Sequence, residues 1–337
     1  MTLPFKRAAG ALPEFSIFGK LPQRGDFIRV NATHPGAMYL DDLIARSLQK
    51  RLVDTAAIDA YRAMPASCVV LRHGDGLFLG ALMPSQDQAG RHYPLAAGTF
   101  LTEGEARYPL ALLLLAKELF FSGLHEQLVS AHSNSVEMLA CRHFLEEQAM
   151  FNLGVDADLD LARQLLERHM QSTTVADLNA LLNEAEAGCL DSVLMSFVFH
   201  KPLLRKFANS LPSQLFLLPL PDRDGEDMLH AALWLSLYQA ATESDTVRTE
   251  QFFLLNQNGR RYLALVPGRL TDQHFTLCWG CIPNPGTVFD FREESTPWRG
   301  DRTYAEASYV LGRRLGDQSL SIAELRSVLR NILHSIG

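Results

Sequence analysis

Phe15-Ser16-Ile17-Phe18-Gly19-Lys20-Leu21-Pro22-Gln23-Arg24-Gly25-Asp26-Phe27 opens as a short alternating segment and runs directly into a charged loop. The alternation predicts a strand, and the loop that follows is stiffened by Pro22 and bounded by glycines. Gly19 and Gly25 are expected where the chain needs a positive φ or a close backbone approach. A loop of this composition holds one shape, unlike a flexible linker.

Working outward, Pro35 to Val53 places Met38, Leu43, Ile44, Leu48 and Leu52 at helical spacing, with charges mostly on the other face. Cys68–Arg72 and Leu77–Met83 are β-rich runs joined by His73-Gly74-Asp75-Gly76, a hairpin turn. A third run, Tyr93–Leu101, follows the Gly90-Arg91 turn. These runs predict β-α-β-β-β, an antiparallel sheet carrying one helix, and Tyr108 to His132 reads as one long helix over the same face. Residues 133–209 carry helical pattern without sheet signal. Within them Ser172-Thr173-Thr174 precedes Val175-Ala176-Asp177 as a helix start, and the acids from Asp156 to Asp160 suit a helix N-terminus.

From Gln214 the order strand, helix, hairpin recurs: Leu215–Leu220, Glu226–Thr242, then Gln251–Asn256 and Tyr262–Val266 about Gln257-Asn258-Gly259-Arg260. A short strand at Val288–Phe291 and helices at Tyr304–Leu315 and Ile322–Ile336 complete the reading. The class is α+β, with two α+β domains, each an antiparallel sheet with helices packed on it, and a helical middle segment. A chain of 337 residues fits about two domains, drawn here as 1–152 and 153–337 with the boundary near 150–157.

Composition narrows the function classes. Hydrophobic content of 47% and charged content of 20% are ordinary for a soluble globular chain. A net charge of −7 and the lack of a basic stripe argue against nucleic acid. No secretory signal is expected at Met1–Gly10, which has no apolar core after its cations. Pro109–Ala116, the most apolar run, is far short of the ~20 residues that span a bilayer, so no membrane insertion is expected. Five scattered cysteines suit a reducing compartment, and the expected location is cytoplasmic.

A second block, Leu82-Met83-Pro84-Ser85-Gln86-Asp87-Gln88-Ala89-Gly90-Arg91-His92-Tyr93-Pro94-Leu95, completes a pattern. Together with Phe18–Phe27 it resembles the TagF/ImpM family of type VI secretion-associated proteins, over roughly residues 15–130. The resemblance implies a non-enzymatic cytosolic regulator that represses the apparatus after translation by engaging the forkhead-associated scaffold protein. Some relatives carry a fused phosphatase domain, whose metal-ligand aspartate pattern is not seen in this sequence. A structural accessory subunit of the apparatus is the alternative within the same system.

Because both blocks are loops flanking strands, they are expected to meet as one patch. Lys20, Arg24, Asp26, Asp87 and Arg91 are its candidate partner-binding residues. Gly19, Pro22, Gly25, Pro84, Ser85, Gly90 and Pro94 are expected to shape the loops. A second reading has Arg24 and Asp26 pairing with each other or with the Asp87/Arg91 turn to hold the fold. Arg24-Gly25-Asp26 spells an adhesion tripeptide, which carries no weight in a cytosolic chain.

No catalytic or metal residues are assigned and no cofactor is expected. Ser85, Asp87 and His92 invite a triad, but Ser85 lacks the G-x-S-x-G elbow, and Ser85 and Asp87 are the usual residues of a capped turn. No P-loop or G-x-G-x-x-G occurs. Cys278-Trp279-Gly280-Cys281 is a C-x-x-C that would suit a thiol oxidoreductase. However, Ile282-Pro283-Asn284-Pro285-Gly286 follows it where a thioredoxin-like site needs a helix, and a zinc site would need two further ligands. Buried structural cysteines are the simpler reading.

Overall fold

The structure, a computed structural model, describes residues 14–101, 103–150, 155–207, 214–223, 225–242, 250–281, 286–292 and 302–336. Met1–Gly10, Ile282–Pro285, the pair Glu293-Glu294 and the part of the expected boundary at 151–154 lie outside the described residues. The elements are β1 (Phe15–Gly19), β2 (Ile28–Val30), α1 (Pro35–Arg51), α2 (Thr55–Ala63), β3 (Ser67–His73), β4 (Gly76–Met83) and β5 (Leu95–Leu101). Then come α3 (Leu110–Ala116), α4 (Glu118–Ser133), α5 (Met138–Met150), α6 (Val155–Ser172), α7 (Val175–Glu184) and α8 (Leu190–Phe207). The last are β6 (Phe216–Pro219), α9 (Glu226–Thr242), β7 (Gln251–Gln257), β8 (Arg260–Val266), α10 (Arg302–Leu315) and α11 (Ile322–Ile336).

The eight strands of the described residues form one antiparallel sheet in the order β2-β1-β5-β4-β3-β7-β8-β6. The α+β class is as expected, but the two sheets expected in the two halves are joined. The seam is β3 against β7, with Cys68 opposite Leu254, Val69 opposite Phe253 and Val70 opposite Phe252. Period-2 alternation then splits each strand between two cores. Ile17, Val70, Leu79, Phe252 and Leu265 face one core, which α3, α4, α6, α8, α9 and α11 cover. Phe18, Val69, Leu71, Phe253 and Ala264 face the other, covered by α1, Tyr61 of α2 and a 3-10 helix at His274–Trp279. Each Leu, Ile or Phe buried in this way contributes about 1.5–3 kcal/mol, which is why central strands read as unbroken apolar runs.

Local chemistry sets the element ends. Asn258 and Gly259, both at positive φ, make the two-residue turn between β7 and β8. Thr174 and Asp177 exchange capping bonds at the start of α7, as the sequence predicts. Two further expectations fail. The expected helix Tyr108–His132 breaks at Lys117, whose φ of −109° and ψ of 16° leave the helical region. The break lets the wholly apolar α3 pack between α6 and α9 while α4 turns onto β4 and β5. Val288–Phe291 is no strand. Only an isolated parallel bridge joins Val288 to Leu215, while Phe291 stacks its ring on Phe216 and Phe289 meets Phe216 edge-on.

Candidate functional site: two loops joined at a buried carboxylate

β1 and β5 are adjacent and antiparallel, and β5 follows the second motif directly, so the sheet carries both loops to one edge. The closest approach is at Gly19. Its φ is +130°, and an added Cβ would collide with the carbonyl oxygen of Pro94 and lie 2.8 Å from Leu95 Cα. Gly25 does not carry the conformation expected of it: its φ is not positive, and a Cβ there would meet nothing. Its carbonyl instead accepts a hydrogen bond from Arg91 at 3.0 Å.

Asp87 is 1% exposed and sits between the two loops. Its carboxylate takes Lys20 Nζ at 3.0 Å from the first loop and Arg91 Nε at 2.7 Å from its own. The backbone N–H groups of Ala89 and Arg91 donate to its other oxygen at 3.0 and 2.9 Å. Burial alone would raise the Asp87 carboxyl. The Arg91 backbone N–H and the Lys20 and Arg91 side chains outweigh it and hold the group well below the usual carboxylate range. Gly90, at φ +78°, closes the turn with its N–H on the Asp87 carbonyl.

Further bonds lock the loops together. Ser85 Oγ donates to the Lys20 carbonyl at 2.8 Å, and Gln88 N–H donates to the Arg24 carbonyl at 2.9 Å. Beneath them lies Tyr61, fully buried, whose hydroxyl accepts from Ser85 N–H at 2.9 Å and donates to the Ser85 carbonyl at 3.0 Å. Gln23 Nε2 donates to the His132 and Ser133 carbonyls at 2.9 and 3.1 Å, which sets the first loop on the C-terminal end of α4. Tyr93 donates its hydroxyl to Asp41 of α1, and its ring meets Phe27 edge-on at 5.0 Å. Pro84 and Pro94 are buried and Pro22 is half-buried.

The five charged candidates therefore divide. Lys20, Asp87 and Arg91 are tied to one another. Arg24 and Asp26 are exposed, and neither side chain has a hydrogen bond or ion pair among the described residues. Sequence reasoning missed Tyr61 and Gln23. The first stands on a short helix whose only strong sequence signal is its cap Asp54, which accepts from Ala57 N–H at 2.8 Å. The second is a polar residue inside a motif with no local cue to its distant partners.

The other candidates lie apart. No hydrogen bond links His92 to Ser85 or Asp87 among the described residues, and the Ser85 hydroxyl is spent on the Lys20 carbonyl. Burial, with Arg62 and Lys20 nearby, lowers the His92 pKa. Cys278 lies in the 3-10 helix His274–Trp279, 1% exposed, and burial pushes its thiol up to about 12. Gly280, at positive φ, ends that helix before Cys281. Among the described residues no group of three or more His, Cys, Asp or Glu is placed to hold a metal ion. Nor is any helix of the described residues long and apolar enough to cross a membrane.

Comparison with known proteins matches residues 16–148 to the TagF N-terminal domain, Type VI secretion system-associated. No curated protein matches. Among solved structures, the crystal structure of PA0076 from Pseudomonas aeruginosa PAO1 is 27% identical, with 34% of this chain and 54% of that chain covered and a TM-score of 0.29. The chain thus spans about half the length of the solved structure it matches. Both motif loops, the Asp87 carboxylate and Tyr61 fall inside the matched stretch, so residues 16–148 are what this chain has in common with the TagF N-terminal domain, Type VI secretion system-associated.

Proposed function

We propose that the protein is a non-enzymatic, cytoplasmic repressor of a type VI secretion system that acts after translation by binding the forkhead-associated scaffold protein. The binding surface is the joined loop pair, with Arg24 and Asp26 as contact groups and Lys20, Asp87 and Arg91 as the frame that presents them. One observation supports this reading: a network of part-buried bonds ties the two motif loops to each other, yet leaves the exposed Arg24 and Asp26 without ion pairs among the described residues. Loops fixed on a rigid scaffold are where binding specificity is usually found, and an exposed arginine on such a loop is a common interface anchor.

The test is titration of the purified scaffold with the wild-type chain and with Arg24→Ala. The account expects affinity to fall about 10-fold or more, which corresponds to ~1.4 kcal/mol, while the melting temperature holds. Equal affinities for the two proteins would remove Arg24 from the interface. Stoichiometric co-assembly with sheath or baseplate proteins, with no repression of secretion, would replace the repressor with a structural subunit.

A further inference from the structure

His169 of α6 and His230 of α9 meet across the helix pair, His169 Nε2 lying 3.2 Å from His230 Nδ1 and the rings edge-on at 4.6 Å. His230 Nδ1 is also 3.1 Å from the backbone carbonyl of Glu226, one turn back on the same helix. A carbonyl oxygen can only accept, so Nδ1 of His230 must carry the proton. His169 Nε2 then faces an N–H and is left as an acceptor, which places the His169 proton on its own Nδ1. The two neutral rings thus share a hydrogen bond between helices, from an N–H that His230 divides between His169 Nε2 and the Glu226 carbonyl.

We propose that this contact is a proton-sensitive latch, fastening α6 to α9 while both rings are neutral and loosening when the pair takes up protons. His230 can take a proton on Nε2 and keep its Nδ1 bond. His169 can take one only on Nε2, which would set N–H against N–H at 3.2 Å. Protonation of the second ring breaks the contact, and the two sites titrate as a coupled pair.

Among the described residues the groups that face the pair are few. From α9 come Glu226, 3.4 Å from Arg223, and Asp227, 2.9 Å from Arg261. From the start of α7 comes Asp177, whose carboxylate is occupied in its capping box. On the far side of α6, Glu167 holds Arg326 of α11 at 2.6 Å, and α3, packed against both helices, brings only Leu and Ala. Burial lowers both imidazoles, with His230 as the second cause for His169, which falls to about 4. The nearby carboxylates oppose the shift without reversing it.

The sign follows from linkage. The folded pair binds fewer protons than the unfolded chain, so its contribution is complete above the ordinary imidazole value of 6.5 and is lost as pH falls toward about 4. For one imidazole shifted this far, the unfolding constant rises roughly 30-fold between about pH 7.5 and about pH 5.

The experiment measures urea unfolding at both pH values for the wild type, His169→Gln and His230→Gln, with long-range 1H–15N spectra of the wild-type histidines. The latch predicts that both variants lose most of this roughly 30-fold acid sensitivity relative to the wild type, and that both rings are Nδ1–H tautomers at neutral pH. The same pH dependence in all three proteins, or a His169 ring protonated on Nε2 at neutral pH, overturns it. The spectra decide on the wild type alone if a variant does not fold.

Discussion

The carbonyl oxygen of Pro94 occupies the space that a side chain on Gly19 would need. These two residues, one from each family motif, are in backbone contact, and that contact is why two separated stretches of sequence make one surface. The close approach depends on a residue with no Cβ at a φ of +130°.

Gly19→Ala is therefore expected to destabilise the domain severely. The backbone conformation alone costs roughly 1–3 kcal/mol for a non-glycine residue, and the collision with Pro94 adds to it. Urea unfolding of the variant checks this, and a loss under about 0.5 kcal/mol, as for an ordinary surface substitution, would mean that the two loops are not in contact.

Tyr61→Phe removes one hydroxyl and leaves the buried N–H of Ser85 without its partner, while the Ser85 carbonyl keeps the Tyr93 N–H at 3.0 Å. The expected loss is about 1–3 kcal/mol, read as a lower urea midpoint with unchanged slope. The ring volume is kept, so a cavity contributes little.

Asp87 governs acid stability at the site. Its folded pKa lies below the ordinary value of 3.8, so its contribution is complete above that value and is lost as pH falls below it. Asp87→Asn should be less stable than wild type at neutral pH, because Lys20 and Arg91 lose their shared acceptor, and should show a flatter decline below about pH 4. Parallel acid titrations of the two proteins by circular dichroism would reveal it. Identical slopes would mean that the carboxylate is not held as described.

How much of this was legible depended on the range of the interaction. The alternation at Phe15–Phe18 predicted β1, and Thr174 with Asp177 predicted the start of α7, because both signals are local. Three-residue β2 left no periodicity to read, and α2 was hidden because Tyr61 is its sole fully buried side chain among mostly small or polar residues. The seam escaped for a different reason. Val69, Val70, Phe252 and Phe253 are apolar on both faces, which announces a central strand, but nothing in either stretch names its neighbour. At the site, the meeting of the motifs followed from their both being loops beside strands. The split between framed and exposed charges did not, because whether Asp87 chooses Lys20 or Arg24 is decided by a few ångströms of loop geometry.

Cys278 supplies a test of the thiol reading. With its pKa pushed up to about 12 by burial, it should stay unmodified by a disulfide reagent at about pH 8 in the native protein and react only on unfolding. The exposed Cys189 should react first. Rapid native reaction at Cys278, with a disulfide to Cys281 that forms and reduces reversibly, would reopen the oxidoreductase alternative.

The central claim is that residues 20–27 and 84–94 are the surface that meets the scaffold. The most direct measurement is hydrogen–deuterium exchange of the full chain with and without the purified forkhead-associated scaffold protein. The account predicts slowed exchange in those two segments together, abolished at the same scaffold concentration by Arg24→Ala. Protection confined to other segments, such as α10 and α11, with these two loops unchanged, would contradict it.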